Sequence, residues 1–398
     1  MKPILPLLLR RSLLASLLVP IISLSFSASA ADFMVDASQY SDPNNNIYST
    51  LEELVSSVAL VAGDTVILNN DDASLTTGLT VPVNFRSADP AALCAVDLSG
   101  LGKNPLYNLG AGEYTLEMDS VIWSNGAAGV IRTADDNVSL EITGEVQFLN
   151  NHVDNSNNSA YGGAIDMEGD HATLTLGNNV TFSGNYASSD SYSISTSSGG
   201  AIYMQGVNSF LTICNGAIFT NNYSSTYGGA IYLQGITTDN SSRFLAFTHD
   251  VLFSGNMTGG TFTQHNDGSF SVVNGVANAI HVDGTNHLQL AAAQGKEVRF
   301  NDPITSAAYF SSTENVTLSL NQYTDDDGIS HTTDGTVIFS GELYQGDDAH
   351  LVASRYSDFK GQTTLYGGSL ILEHNVVFGN AGLRDDTSMT LELSLIHI

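Results

Sequence analysis

The tetrapeptide Gly-Gly-Ala-Ile occurs three times in this chain: Gly162-Gly163-Ala164-Ile165, Gly199-Gly200-Ala201-Ile202 and Gly228-Gly229-Ala230-Ile231. Each copy is followed by a Phe-x-x-Asn, namely Phe182 with Asn185, Phe219 with Asn222 and Phe253 with Asn256. The Phe comes 20 residues after the leading Gly in the first two units and 25 in the third. A repeat of this period constrains the fold more than local propensity does. It implies one supersecondary unit stacked on copies of itself.

Each unit contains three short apolar alternations. In the second they are Ala201–Gln205, Leu211–Ile213 and Ala217–Phe219. Strict alternation over so few residues predicts short half-buried strands. Aligning Phe182 with Phe219 puts Leu174 opposite Leu211 and Leu176 opposite Ile213. Aligning Phe219 with Phe253 adds Leu245 and Phe247 to those columns. Like residues stacked at the strand spacing of about 4.8 Å make a continuous core, so the expected fold is all-β, a right-handed parallel β-helix. A lone unit cannot offset its own backbone entropy, about 1–2 kcal/mol per residue, so neighbouring coils are required.

The motif residues then have mechanical tasks. The Gly-Gly pair takes φ > 0 and turns the chain into a strand, while Phe fills the interior. The Asn adopts the left-handed conformation at a corner and joins an amide ladder along the stack. The gap from Phe to the next opening varies (14 residues after Phe148, 17 after Phe182, 9 after Phe219), so inserted loops fall at one corner. Degraded copies extend the array: Ala128–Ile131 with Phe148 and Asn151, and Ala277–Ile280 with Phe300.

The expected organisation is a signal peptide over 1–30, an N-terminal cap over 31–63, repeat coils over 64–335 and further coils of a second grammar over 336–398. Lys2, Arg10 and Arg11 precede the apolar Leu13–Leu24, and Ala28-Ser29-Ala30 fits a cleavage site. Leu51, Leu54, Val55 and Val58 have helical spacing and predict a short capping helix at the open end of the solenoid. Cys94 and Cys214 are expected to be free thiols packed as small apolar residues, because a linear array keeps them several coils apart.

The formal net charge of −29 repels phosphate backbones and argues against a nucleic-acid partner. Candidate chemistry is sparse. His152, His171, His249, His265, His281 and His287 lack metal-site spacing and read as surface residues. Asp325-Asp326-Asp327-Gly328 has Tyr323 where a calcium loop needs an acid, and reads as a solvated turn. The repeated strands, with Asp166, Tyr203 and Tyr232, show no recurring acid–base set. No catalytic residue, metal or other cofactor is expected. Tyr203 and Tyr232 should stack on the outside of successive coils, either as a contact strip or as a supporting ladder.

Gly-Gly-Ala-Ile alternating with Phe-x-x-Asn, over roughly residues 128 to 303, resembles the repeat signature of the chlamydial polymorphic outer membrane proteins, a group of type V autotransporters. The resemblance implies a β-helical passenger exported by a signal peptide and the outer-membrane machinery to the outer membrane, cell surface or medium. It also implies adhesion to a host or neighbouring-cell receptor or glycan, with the repeat motifs implicated in that adhesion. The sequence lacks the amphipathic barrel strands of that family, so a fragment of a longer gene is expected, and Ser394–Ile398 resembles a translated sequencing adapter. Two other readings stay open: a β-helix polysaccharide lyase or glycoside hydrolase, and a ligand-free surface spacer.

Overall fold

The computed structural model describes residues 30–69, 73–154, 159–189, 197–235, 241–265, 268–284, 287–306, 317–340, 356–357, 363–373, 377–378, 381–383 and 388–391. The expected signal peptide (save Ala30) and the Ser394–Ile398 tail lie outside them.

The chain forms a parallel β-helix. Its coils lay strands into three long sheets of 7, 13 and 11 strands. In the second repeat these are Ile202–Gln205 on the first face, Phe210–Ile213 on the second and Ile218–Thr220 on the third. Residues repeat in register because a one-residue slip would turn every apolar side chain outward. Ile165, Ile202, Ile231 and Ile280 pair in sequence on the first face. On the third face Phe148, Phe182, Phe219, Phe253, Phe300 and Phe339 pair coil on coil. Their rings stack with centroids 4.6–5.4 Å apart. The second grammar continues these sheets, since Thr336–Ser340 pairs with both Glu297–Phe300 and Ser369–Glu373.

The repeats depart from the expected alignment at one place. Leu174 faces Leu211 and Leu176 faces Ile213. In the next coil, however, Leu211 faces Ser242 and Ile213 faces Phe244, so Leu245 and Phe247 are not in those columns. Three extra residues lie in the corner before Phe253. They are absorbed there because Asn215 Oδ1 accepts the N–H groups of Phe247 (2.5 Å) and Thr248 (2.7 Å).

The two glycines of the repeat do different work. Gly162, Gly199 and Gly228 have φ of 55°, 69° and 65°, while their followers do not have positive φ. The second glycine is needed for space. A Cβ on Gly200 would lie 2.6 Å from Tyr223 N and closer still to Gly229 O, and Gly163 and Gly229 are hemmed in alike by Tyr186 and Met257 backbone. Each of these neighbours directly follows a motif Asn, so the two tetrapeptides meet in one joint.

The motif Asn residues form the ladder but not in the left-handed conformation. That conformation belongs to the residue before each: Asn150, Gly184, Asn221 and Gly255. Asn185 Nδ2 donates to Phe148 O (2.9 Å) and Asn222 Oδ1 (3.0 Å). Asn222 Nδ2 does the same to Phe182 O (3.1 Å) and Asn256 Oδ1 (2.9 Å). Asn151, Asn185, Asn222 and Asn256 are fully buried. The ladder ends at Asp302, whose carboxylate accepts from Gly255 N, Asn256 N and Asn256 Nδ2. A carboxylate has no proton to pass on, so it terminates the run.

At the N-terminal end, Asp32–Val35 and Ile47–Tyr48 are the outermost strands of the 13-stranded sheet, and the helix Leu51–Ser57 follows. Thr50 caps it by accepting from Glu53 N, and Leu51 and Leu54 plug into the shared core. Cys94 is buried, donating to Leu68 O, whereas Cys214 is only half-buried and so is not packed as an interior residue.

Candidate functional site

Outward positions of the first face align Arg132, Asp166, Tyr203, Tyr232, His281 and Thr305 in one column. From Asp166 to His281 this column is closed to solvent, while Arg132 at its end is exposed. Tyr203 is 2% and Tyr232 6% exposed, so neither is available as a contact residue. Their rings stack 5.2 Å apart, with Tyr161 below and His281 above. Tyr161 and Tyr227, each directly before a Gly-Gly, pack their rings on this column, so both faces of the sheet are buried here, which alternation alone does not register. Tyr232 Oη donates to Asp283 Oδ2 (3.1 Å), and burial pushes both phenols well above their ordinary range.

The column also holds the constellation that the sequence did not disclose. Arg132 Nε lies 3.4 Å from Asp166 Oδ2, and its Nη2 3.0 Å from Glu168. Burial first, then the Glu168 charge, raises the Asp166 pKa well above the carboxylate range. Two carboxyl groups beside a guanidinium on neighbouring coils are parts an acid–base site would use. Asp166 is only 5% exposed, so its carboxyl is walled off from a substrate.

His281 is buried as well, contrary to its expected surface place. Its Nδ1 meets Thr305 Oγ1 at 2.8 Å, its ring stacks on Tyr227 and Tyr232, and burial lowers its pKa from 6.5 to about 4. The folded chain therefore keeps the imidazole neutral while the unfolded chain binds a proton below 6.5. The stability this contributes is complete above pH 6.5 and is lost as pH falls through about 4. Urea midpoints of the wild type should decline across that window relative to His281→Gln. Parallel curves would contradict the burial argument.

The loop-bearing side is more open. After the corner Asn, the chain adds a short fourth strand: His152–Asp154, Tyr186–Ser188, Tyr223–Ser224 and Met257–Thr258 pair in parallel. The loop after Asn256 does not project away from the stem. It forms an antiparallel hairpin, Thr261–Gln264 with Phe270–Val273, which folds back over the earlier coils. Phe262 and Phe270 close on Tyr186 and Tyr223, with ring centroids 4.8–5.7 Å apart. The tip reaches the coil of Trp123, where Gly268 (φ 83°) lies against the Asn125 amide. The hairpin stands outside the repeat pattern, and its signal in the sequence is the alternation of Thr261-Phe262-Thr263 and Phe270-Ser271-Val272 on either side of a polar turn.

Among the described residues, two clefts lie beneath the hairpin. One of about 530 Å³ lies at the tip, between Ser99, Asn125 and His152 of the stem and Gln264 and His265 of the hairpin. The other, about 370 Å³, runs along the flank between Asn150, Gly184 and Asn221 and the hairpin's Phe270 and Val272. Val273 (59% exposed) and Val276 (39%) stand out as apolar groups in solvent.

Asp325 anchors a second hairpin turn, accepting from Asp327 N, Ile329 N and His331 Nε2, while Asp326 pairs with Arg243.

Residues 179–205 and 216–234 match the family described as the Chlamydia polymorphic membrane protein repeat. Each window holds one Phe-x-x-Asn corner and the Gly-Gly-Ala-Ile strand after it, which is the joint described above. The chain is polymorphic membrane protein-like. It is 30% identical over 183 residues to "Probable outer membrane protein pmp10" of Chlamydia pneumoniae, covering 39% of this chain and 19% of that protein. It is 31% identical over 165 residues to "Probable outer membrane protein pmp8" of the same organism, covering 41% and 16% respectively. The chain thus spans less than a fifth of the length of these relatives. No solved structure matches it. As a polymorphic membrane protein-like stem it places its repeat motifs in buried joints and leaves the loop side accessible.

Proposed function

We propose that this chain is the passenger stem of an autotransporter-type outer-membrane protein that displays the hairpin side at the cell surface and adheres there to host or neighbouring cells. The single observation that carries the reading is the hairpin Thr261–Val273, an insertion held rigidly against the stem with its outer side open. Thr261, Thr263, Ser271 and Val273 are exposed and pair across its two strands, forming a small flat surface without charge in an otherwise acidic molecule. Exposed apolar and β-branched groups on a braced element suit protein or glycan contact. The printed names of the relatives support an outer-membrane place, and the burial of Asp166 supports a stem without catalysis.

The test is binding of the purified, fluorescently labelled chain to cultured epithelial cells. Val273→Asp and Thr263→Lys should each cut binding by about tenfold, as expected for central contact residues. Thermal melting should be unchanged. Tyr203→Phe, buried in the ladder, should leave cell binding intact. No binding by the wild type would favour a ligand-free spacer, and glycan turnover lost on Glu168→Gln would favour an enzyme.

A further inference from the structure

We propose that the two clefts under the hairpin form one binding site for an uncharged oligosaccharide. This rests on the adhesive reading and names its ligand class. The cleft volumes, about 530 and 370 Å³, fall within the span of small-molecule sites, about 300–1,000 Å³. Both clefts follow the same column of coil corners, Asn125, Asn150, Gly184, Asn221 and Gly255, and Gly268 of the hairpin stands close to Asn125 of the one and Asn150 of the other. A linear chain of a few sugar units matches two neighbouring depressions along one column of corners better than one compact ligand does.

The lining selects the chemistry. Among the described residues that line the clefts there is no carboxylate, lysine or arginine, although the chain carries 41 acidic residues. Asp97, beside the tip cleft, is engaged by Ser99 Oγ (2.8 Å) and Asn125 Nδ2 (3.2 Å). Asn150, Asn221 and Gln264 offer amide groups that both donate and accept, the complement of sugar hydroxyls, while Ser99 and Asn125, whose side chains donate to Asp97, offer oxygens that accept. His152 and Phe270 add ring surfaces on which the apolar face of a pyranose packs. An anionic ligand would meet the repulsion of a chain of net charge −29. The stem supplies one wall and the hairpin the other. The site is preformed because the Phe262 and Phe270 clamp on Tyr186 and Tyr223 holds the hairpin down.

The experiment is calorimetric titration of the whole purified chain with cellotetraose, chitotetraose, mannotetraose and a heparin-derived tetrasaccharide. At least one neutral tetrasaccharide should bind saturably, with the acidic one weaker by about tenfold or more. Gln264 and His265 are exposed, so the Gln264→Ala, His265→Ala double variant should keep its melting curve yet weaken binding by about tenfold. Ala127 also lines the tip cleft, and Ala127→Trp, filling it, should abolish binding. No neutral binding, equal heparin binding, or binding untouched by both variants would overturn the proposal. Cell adhesion that persists with no saccharide bound defeats this site alone. Saccharide binding without cell adhesion instead defeats the adhesive reading.

Discussion

Gly200→Ala should prevent the central coils from closing and cost more than about 4 kcal/mol, in the range reserved for severe core disruption. The added methyl group would lie 2.6 Å or less from Tyr223 N, Tyr223 O and Gly229 O, all of them backbone. No side chain can swing aside, so two adjacent coils would have to separate. Gly295→Ala is the control, since its φ is 74° but nothing lies within 4 Å of the new atom. It should cost only about 1 kcal/mol. Urea unfolding followed by far-ultraviolet circular dichroism distinguishes the two. Equal midpoints for both variants would show that the coils are not in contact at the second glycine.

Asn222→Ala should cost roughly 2–6 kcal/mol, because two buried N–H bonds, one from the Asn185 backbone and one of the two on its Nδ2, lose their acceptor at about 1–3 kcal/mol each. Asn185 N and Asn185 Nδ2 both donate to Asn222 Oδ1, at 3.1 and 3.0 Å. The substitution also strips Phe182 O of a donor and opens space in the corner. Its neighbour Asn221 has φ 54° and is exposed, and the equivalent positions one coil away hold Gly184 and Gly255. Asn221→Gly should therefore shift stability by no more than about 0.5 kcal/mol. Hydrogen exchange at the corner amides would localise the difference. A small effect of Asn222→Ala would mean that water replaces the ladder.

These two variants explain why the tetrapeptides travel as a pair. The Asn amide ties its corner to the Phe carbonyl one coil away, and the residue after Asn fills the space beside the second Gly. Either motif without the other leaves a gap or a clash.

Much of the fold was legible because coil stacking repeats residue identity. Ile over Ile and Phe over Phe could be aligned by eye, and the backbone ladder turns each alignment into a register. The alignment failed at Leu245 and Phe247, where a corner insertion shifted one strand without disturbing the next. Left-handed geometry was placed one residue late, because Asn favours both that conformation and a side-chain ladder, and only the ladder operates at Asn185, Asn222 and Asn256.

The candidate site was far less legible. Tyr203 and Tyr232 alternate outward as expected, but outward does not mean exposed once the rings of Tyr161, Tyr227 and His281 pack against them. Arg132 and Asp166 are 34 positions apart, and only the pitch of the solenoid joins them.

By itself the sequence determined the periodic part of this protein: which residues face the core, which turn corners, and that one coil must lie on the next. These follow from local sterics and a repeating apolar pattern. The tertiary structure decided where the insertion after Asn256 comes to rest, which outward side chains are sealed, and where clefts remain. Those outcomes depend on how a non-repeating loop packs against coils more than a hundred residues earlier, and no periodicity encodes such a contact.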